Sequence, residues 1–309
     1  MSRKHQLLFL NLFVLLSISL SAQEVETFRV EDFDLRGRVK SCTVITDYGK
    51  EEYYFDESGR LTKSITRFND TDYETTYYKY KNGRLRERRV ENYLDNAFDK
   101  ATSIANFYGY DSLPEHRLTE KIVSYEKKLL EKNIYRYGDE GRLESIEHID
   151  TDGIDQRTFS YEKSDSLELV SQRLNGVLAK TVQTSLAYVE TDSLQKTVLT
   201  HEYLDGELST KTLEIVDGNE RPLFHSLALY DAPTGKWILQ EEVTYIYDEE
   251  GILSRKKTKK NGFTSTKEYI YQFDGSEANN WVKEIITPDN TYKTRKIKYY
   301  PKPKVEGEE

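Results

Sequence analysis

Beyond residue 30 the chain alternates polar and apolar positions with a period of two, in short runs broken by polar turns. Thr75 to Tyr80, Ile134 to Tyr137, Thr181 to Tyr188, Lys196 to Tyr203, Lys236 to Tyr247 and Tyr292 to Tyr300 are rich in Thr, Tyr, Val and Ile. They lack helix caps followed by three-four periodicity, so they predict β-strands, about eighteen to twenty over the whole chain. One region breaks step. Leu94, Ala97, Phe98 and Ala101 stand at helical spacing behind Asn92, which predicts a short helix or a long excursion from the sheet over residues 93–104. Pro222, Pro233 and Pro288 fall between the runs, as expected of residues that cannot donate to a ladder.

The runs are joined by a recurrent motif: an aromatic pair at i and i+2, a polar turn, a glycine, and a leucine two residues after it. It reads Tyr53-Tyr54-Phe55-Asp56-Glu57-Ser58-Gly59-Arg60-Leu61 and Tyr78-Lys79-Tyr80-Lys81-Asn82-Gly83-Arg84-Leu85. It returns at Tyr135-Arg136-Tyr137-Gly138-Asp139-Glu140-Gly141-Arg142-Leu143 and Tyr245-Ile246-Tyr247-Asp248-Glu249-Glu250-Gly251-Ile252-Leu253. Weaker copies end at Leu167 and Leu208, and Tyr269 to Gly275 starts one whose return arm begins near Trp281. Residues two apart on a strand share a face, so each aromatic pair lines one side of a sheet. The turn aspartate accepts backbone N–H bonds and the glycine tolerates a left-handed conformation, so the motif predicts a β-hairpin. Asn82-Gly83 and Asn261-Gly262 are the tighter two-residue version. Each turn offers one or two carboxylates, too few for the oxygen spacing of a calcium loop, and turn capping is the better account of them.

The return leucines stand at 61, 85, 143, 167, 208 and 253, too unevenly for a six-bladed β-propeller, which is kept as an irregular alternative. The expected fold is all-β: an open, curved or spiralled antiparallel sheet of repeated hairpins, its rings buried on one face and its charges wet on the other. An open array leaves strand edges free for added strands or self-association.

The Tyr-x-Tyr-Asp-x-x-Gly-x-Leu signature resembles the tyrosine-aspartate (YD) repeats of the Rhs and teneurin superfamily, found also in short secreted proteins of Bacteroidetes. Asp34-Leu35-Arg36-Gly37-Arg38-Val39-Lys40-Ser41 resembles the opening of such proteins. In large members such repeats spiral into a long antiparallel sheet that can form a shell around a C-terminal region. Here about seven copies span residues 38–300 and a charged tail follows, so the resemblance implies a repeat sheet without a delivered domain.

Composition sharpens the picture. Apolar residues are 37% of the 309, below the 45 to 50% usual for a globular domain, yet 24 Tyr, 12 Phe and 2 Trp are too many for a disordered chain. Arg3 and Lys4, the apolar run Leu7 to Leu20, and Ser21-Ala22 read as a signal peptide over residues 1–22 with the mature chain starting at Gln23. The hairpin repeat domain is placed at 23–300 and a charged tail at 301–309. No cysteine stands at the cleavage point for lipid attachment, and no later run is long and apolar enough for a membrane helix. A periplasmic or secreted protein is expected. Cys42, the only cysteine, reads as a small buried hydrophobe. The net charge of −9, with basic runs no longer than Arg255 to Lys257 and Lys259-Lys260, gives nucleic-acid binding nothing to rest on.

Catalytic patterns are absent from the text. His116, His148, His201 and His225 are at least 24 residues apart, with no metal-ligand spacing, nucleophile elbow or phosphate-cradling loop. No catalytic residue, metal or cofactor is assigned. The expectation is a non-enzymatic exported repeat protein that binds or scaffolds a partner, either a protein or a cell-surface glycan. Trp237 and Trp281, with the rows of tyrosine, are the candidate aromatic binding surface. A carbohydrate-binding module using that surface is the second reading, and a glycan-active enzyme the third.

Overall fold

A computed structural model describes residues 27–111, 117–189 and 194–302. The signal segment, His116 and most of the charged tail lie outside these residues. Among the described residues, after one 3-10 turn, Val30–Phe33, every element is a strand. The first ten are β1 (Val39–Thr46), β2 (Gly49–Phe55), β3 (Leu61–Arg67), β4 (Tyr73–Lys81), β5 (Arg84–Leu94), β6 (Ala97–Tyr110), β7 (Arg117–Ser124), β8 (Leu129–Tyr137), β9 (Leu143–Ile149) and β10 (Ile154–Lys163). The second ten are β11 (Leu167–Leu174), β12 (Val177–Tyr188), β13 (Leu194–Leu204), β14 (Glu207–Asp217), β15 (Pro222–Asp231), β16 (Lys236–Tyr247), β17 (Leu253–Lys260), β18 (Phe263–Phe273), β19 (Trp281–Thr287) and β20 (Thr291–Tyr299).

Each strand pairs antiparallel with its neighbours in sequence, and β20 pairs with β1 from Val39↔Tyr299 to Ile45↔Thr294. The sheet is therefore a closed 20-stranded barrel, which corrects both the open sheet and the propeller expected from sequence. Closure also removes the free edges on which self-association through added strands would depend. The predicted helix over 93–104 is replaced by hairpin β5–β6. Asp95 and Asn96 take left-handed conformations (φ 51° and 61°), and Leu94↔Ala97 and Tyr93↔Phe98 are facing pairs. A spacing of three there reflects pairing across a tight turn, not one turn of helix.

The repeat is more regular than the leucines alone suggested. The turns after the even-numbered strands lie on one rim, and the strands they lead into start at residues 61, 84, 117, 143, 167, 194, 222, 253 and 281, one every 23 to 33 residues. The expected copy at Leu208 belongs to the other rim, since Asp205-Gly206 joins β13 to β14.

On the first rim the aspartates close the turns, as the motif predicts. Asp56 Oδ1 accepts from the amides of Ser58 (2.9 Å) and Arg60 (3.0 Å), while its Oδ2 takes the Arg60 Nε–H at 3.0 Å. Asp217 repeats this with Asn219 and Arg221, and Asp248 accepts from the amides of Glu250 and Ile252. Partial burial opposes ionisation of Asp56, but the bonds from Ser58 and Arg60 outweigh it and hold the carboxyl below the usual range.

Neighbouring hairpins are then tied together at the same rim. The second aromatic of the motif donates its hydroxyl to a carbonyl at the start of the preceding return strand: Tyr80 to Leu61 (2.8 Å), Tyr110 to Leu85 (3.0 Å), Tyr161 to Leu143 (2.8 Å) and Tyr247 to Pro222 (2.8 Å). The arginine beside that carbonyl lies over the tyrosine ring in each case, as with Arg60 over Tyr80 and Arg142 over Tyr161. This explains why the motif couples Gly-Arg-Leu to an aromatic pair: one hairpin supplies the carbonyl and cation, the next supplies the ring and hydroxyl.

The tenth hairpin is shared by the two chain ends. Tyr300 N–H donates to Arg38 O (2.8 Å), Arg38 Nη1 to Pro301 O (2.6 Å), and Tyr300 OH to Phe55 O (2.7 Å). Residues 28–38 lie across this seam. Leu61 N–H reaches Phe28 O and Val30 N–H reaches Gly59 O at one end, while Arg36 and Asn280 exchange two bonds at the other. Beneath the segment Val30, Leu35, Val39, Cys42, Phe55 and Leu61 form the larger of two buried clusters. Burial pushes the Cys42 thiol up to about 11, with the Arg295 charge pulling the other way, so it behaves as the expected small hydrophobe.

Candidate functional site

The two rims differ in what they show to solvent. On the rim formed by turns after odd-numbered strands, nine of the ten turns carry an exposed large apolar side chain within two residues, and the turn after β15 has one three residues away. Tyr48, Phe68 and Leu94 mark the first three turns, and Tyr125, Ile154 and Val177 the next three. Leu204, Ile238, Phe263 and Tyr292 complete the ring. Tyr48 and Phe263 are each 80% exposed and Leu204 71%. On the opposite rim, among the described residues, only Leu167, Leu186 with Tyr188 and Val189, and Ile246 are comparable. There the equivalent leucines, Leu61, Leu85, Leu118 and Leu143, are buried under the Tyr–Arg ladder.

Several of the apolar tips follow from local turn chemistry. Asn175-Gly176, Asp205-Gly206 and Asn261-Gly262 adopt paired positive φ values, which reverses the chain in two residues. The flanking strand positions then reach the very end of the barrel. Val177, Leu204 and Phe263 occupy those positions and are largely or half exposed.

The two tryptophans are placed apart. Trp281 starts β19 on the seam side: its Nε1 donates to Asp34 Oδ2 (2.7 Å) and the Arg295 guanidinium lies 3.4 Å from its ring centre. Arg295 also donates to the carbonyls of Asp34 and Phe33 (2.9 and 3.0 Å). Trp237, second in β16, lies against Tyr230, His201 and the Lys211 ammonium. Register places them on opposite faces. Tyr271, which touches Trp281, shares its face with Lys267, Lys256, Tyr245, Val243, His225, Glu214 and Val198 through successive facing pairs. His201, three residues from Val198, is on the other. The tryptophans thus sit at opposite rims on opposite faces and do not form one platform.

The described histidines do not converge either. His148 Nδ1 is 2.8 Å from Asn133 Oδ1, His225 Nδ1 is 3.6 Å from Glu214, and burial with the charge of Lys211 lowers the pKa of His201. Asn133 belongs to a polar cluster on β6–β9, where Glu120 accepts from Asn106 (2.8 Å), Asn133 (3.0 Å) and Tyr135 (3.2 Å). Burial first, and then the Glu120 charge, raise the pKa of Tyr108 and Tyr135, keeping both hydroxyls as donors. Among the described residues no three His, Cys, Asp or Glu side chains gather as metal ligands.

The rim of apolar tips was missed in sequence because each tip looks like one scattered hydrophobe. Its signal, an apolar residue flanking every second turn, becomes visible only once alternate turns are assigned to the same end of the barrel.

No protein-family model matches the chain, and no curated protein does. Among solved structures, a porin-like protein from Bacteroides uniformis is similar at 11% identity and TM-score 0.30, over 85% of this chain and 99% of that one. A second porin-like protein, from Bacteroides vulgatus, follows at 10% identity and TM-score 0.28, over 85% and 98%. The TcdB2-TccC3 structure without its hypervariable C-terminal region matches at 11% identity and TM-score 0.20, over 82% of this chain and 23% of that one. Scores this far below one half do not establish a common fold, and the closed barrel rests on the strand pairing above.

Proposed function

We propose that this chain is an exported, non-enzymatic binding barrel, soluble in the periplasm or outside the cell, that holds a partner on its apolar rim. The observation that carries the reading is the asymmetry of the rims. A ring of ten apolar tips, each costing solvation in the isolated molecule, stands opposite a rim with fewer of them, where Leu61, Leu85, Leu118 and Leu143 are buried.

The wall supports a water-exposed barrel. A barrel spanning a membrane needs an outward apolar band, and a charge at mid-depth costs about 2 to 4 kcal/mol. Here β17 carries Arg255, Lys257 and Lys259 on one face and Lys256 and Lys260 on the other, and β5 carries Arg86 and Arg88 against Glu87, Arg89 and Glu91. Neither face of these strands is apolar. The carboxylates and hydroxyls traced above are engaged in turns, ladders and internal clusters, which favours binding over chemistry.

The test is photo-crosslinking in the native envelope with a reactive residue at Phe263 or Leu204, compared with Tyr188 on the other rim. Adducts at Phe263 and Leu204, and none at Tyr188, are expected. Equal labelling at both rims, or none at either, contradicts the reading.

A further inference from the structure

We infer that the occupant of the apolar rim is a second copy of this chain, docked rim to rim about a two-fold axis that crosses the barrel. The inference rests on the docking role proposed above and adds the partner's identity.

Two observations carry it. The first is size. Twenty strands spaced ~4.8 Å apart and tilted by about 40° make a rim about 125 Å round. A contact about 10 Å wide along it covers about 1,200 Å² on each copy, above the ~800 Å² per partner of a standard stable interface. A second copy presents a ring of the same diameter with the same ten apolar tips, so every tip is covered.

The second is charge. The turn after β13 carries Asp205 and Glu207, and the turn after β17 follows Lys259 and Lys260. The turn after β3 carries Asp70 and Asp72, and the turn after β7 carries Lys127 and Lys128. A two-fold axis entering at the turn after β15 and leaving at the turn after β5 reverses the order of turns in the second copy. It sets Asp205 and Glu207 against the second copy's Lys259 and Lys260, and Asp70 and Asp72 against its Lys127 and Lys128, with one like-charged meeting off the axis, Asp47 with its Asp150 and Asp152. By symmetry each meeting occurs twice. Lys259 and Lys260, on opposite faces at the end of β17, lie near Glu242 and Glu241 of the adjoining strand (3.4 and 3.0 Å) and stay 54% and 63% exposed, so both ammonium groups remain open to a second copy.

The test is sedimentation equilibrium of the exported, processed chain at micromolar concentration, with circular dichroism to confirm folding. A dimer is expected. Lys259→Glu with Lys260→Glu should weaken it at least tenfold, and adding Asp205→Lys with Glu207→Lys should restore it. A Tyr188→Ser variant should dimerise as the parent does. A parent that sediments as a monomer throughout overturns the inference, as does a folded four-site variant that fails to recover. Flotation with phosphatidylethanolamine–phosphatidylglycerol vesicles separates the two claims. A monomer that floats, and loses flotation with Phe68→Ser, Leu204→Ser and Phe263→Ser, overturns self-docking and leaves the docking rim standing. A monomer that neither floats nor crosslinks at Phe263 overturns both.

Discussion

The wall where the two chain ends meet and the wall opposite are made of the same hairpin, yet they are held in different ways. At the seam residues 28–38 lie over β19, β20, β1, β2 and β3 and bury six apolar side chains in one cluster, with Phe28, Phe33 and Tyr53 packed around it. Around β11–β13 no segment among the described residues is packed over the sheet. The buried set there is Val170, Val182 and Val198, flanked by Phe159 and Tyr161. A strand in the far wall is fastened by its ladder bonds and the Tyr–Arg ties; a strand at the seam has a second layer as well. The difference teaches where a thin barrel spends its apolar residues. Neighbouring hairpins in the far wall are joined by continuous chain, whereas β20 and β1 are joined by none, so the junction without a covalent link receives the extra packing.

The comparison can be broken at several points. Arg295→Ala removes the two bonds to the Phe33 and Asp34 carbonyls and the stack on Trp281, and should lower unfolding stability by about 3 to 4 kcal/mol in urea titration. A loss no larger than that of a far-wall variant would show that the segment is not a structural clasp.

Acid should act strongly at the seam. Glu52 is partly desolvated, but bonds from Lys50, Arg67 and Tyr54 outweigh this and lower its pKa from 4.5 to about 2. Its contribution is present above the unfolded value and is lost as pH falls from about 4.5 towards 2. Glu52→Gln should cost about 2 kcal/mol at neutral pH, after allowing for screening of its more exposed partners, and flatten the acid limb of the stability profile. An unchanged acid limb would remove Glu52 from the account. Val182→Ala in the far wall should cost less, about 1.5 kcal/mol, because its three-residue cluster can relax around the lost methyls. Tyr247→Phe deletes one hydroxyl tie to Pro222 and should cost about 1 kcal/mol by the same titration. The tip variants Phe68→Ser and Phe263→Ser should change monomer stability by less than about 0.5 kcal/mol each, because those rings are exposed.

Much of the wall was readable in the chain. Asp56-Glu57-Ser58-Gly59 specifies its turn through a carboxylate accepting two amides, and Asn261-Gly262 through paired left-handed residues; both act within five residues and so appear in local text. Cys42 was readable from alternation alone. Closure was not. It depends on Val39 to Ile45 meeting Thr294 to Tyr299 across some 250 residues, and no local pattern marks two strands as partners at that separation. Leu208 misled because a glycine turn looks alike at either rim, and only strand count decides which rim it joins. The Trp237–Trp281 pair had no register to tie it together, since face and rim are set by the pairings and bulges that intervene. The apolar rim, the basis of the proposed function, needed the same strand count.

Closure of the barrel is the claim on which the rims, the shared tenth hairpin and the docking ring all depend, and it is open to one direct measurement. Thr43 and Lys296 face each other across β1 and β20, next to but on the opposite face from the buried Cys42. In the closed barrel, Thr43→Cys with Lys296→Cys should form an intramolecular disulfide under mild oxidation, read as an intact-mass loss of two hydrogens and a single linked peptide after digestion. A folded protein in which both cysteines stay reduced, or link only between molecules, would contradict the closed barrel.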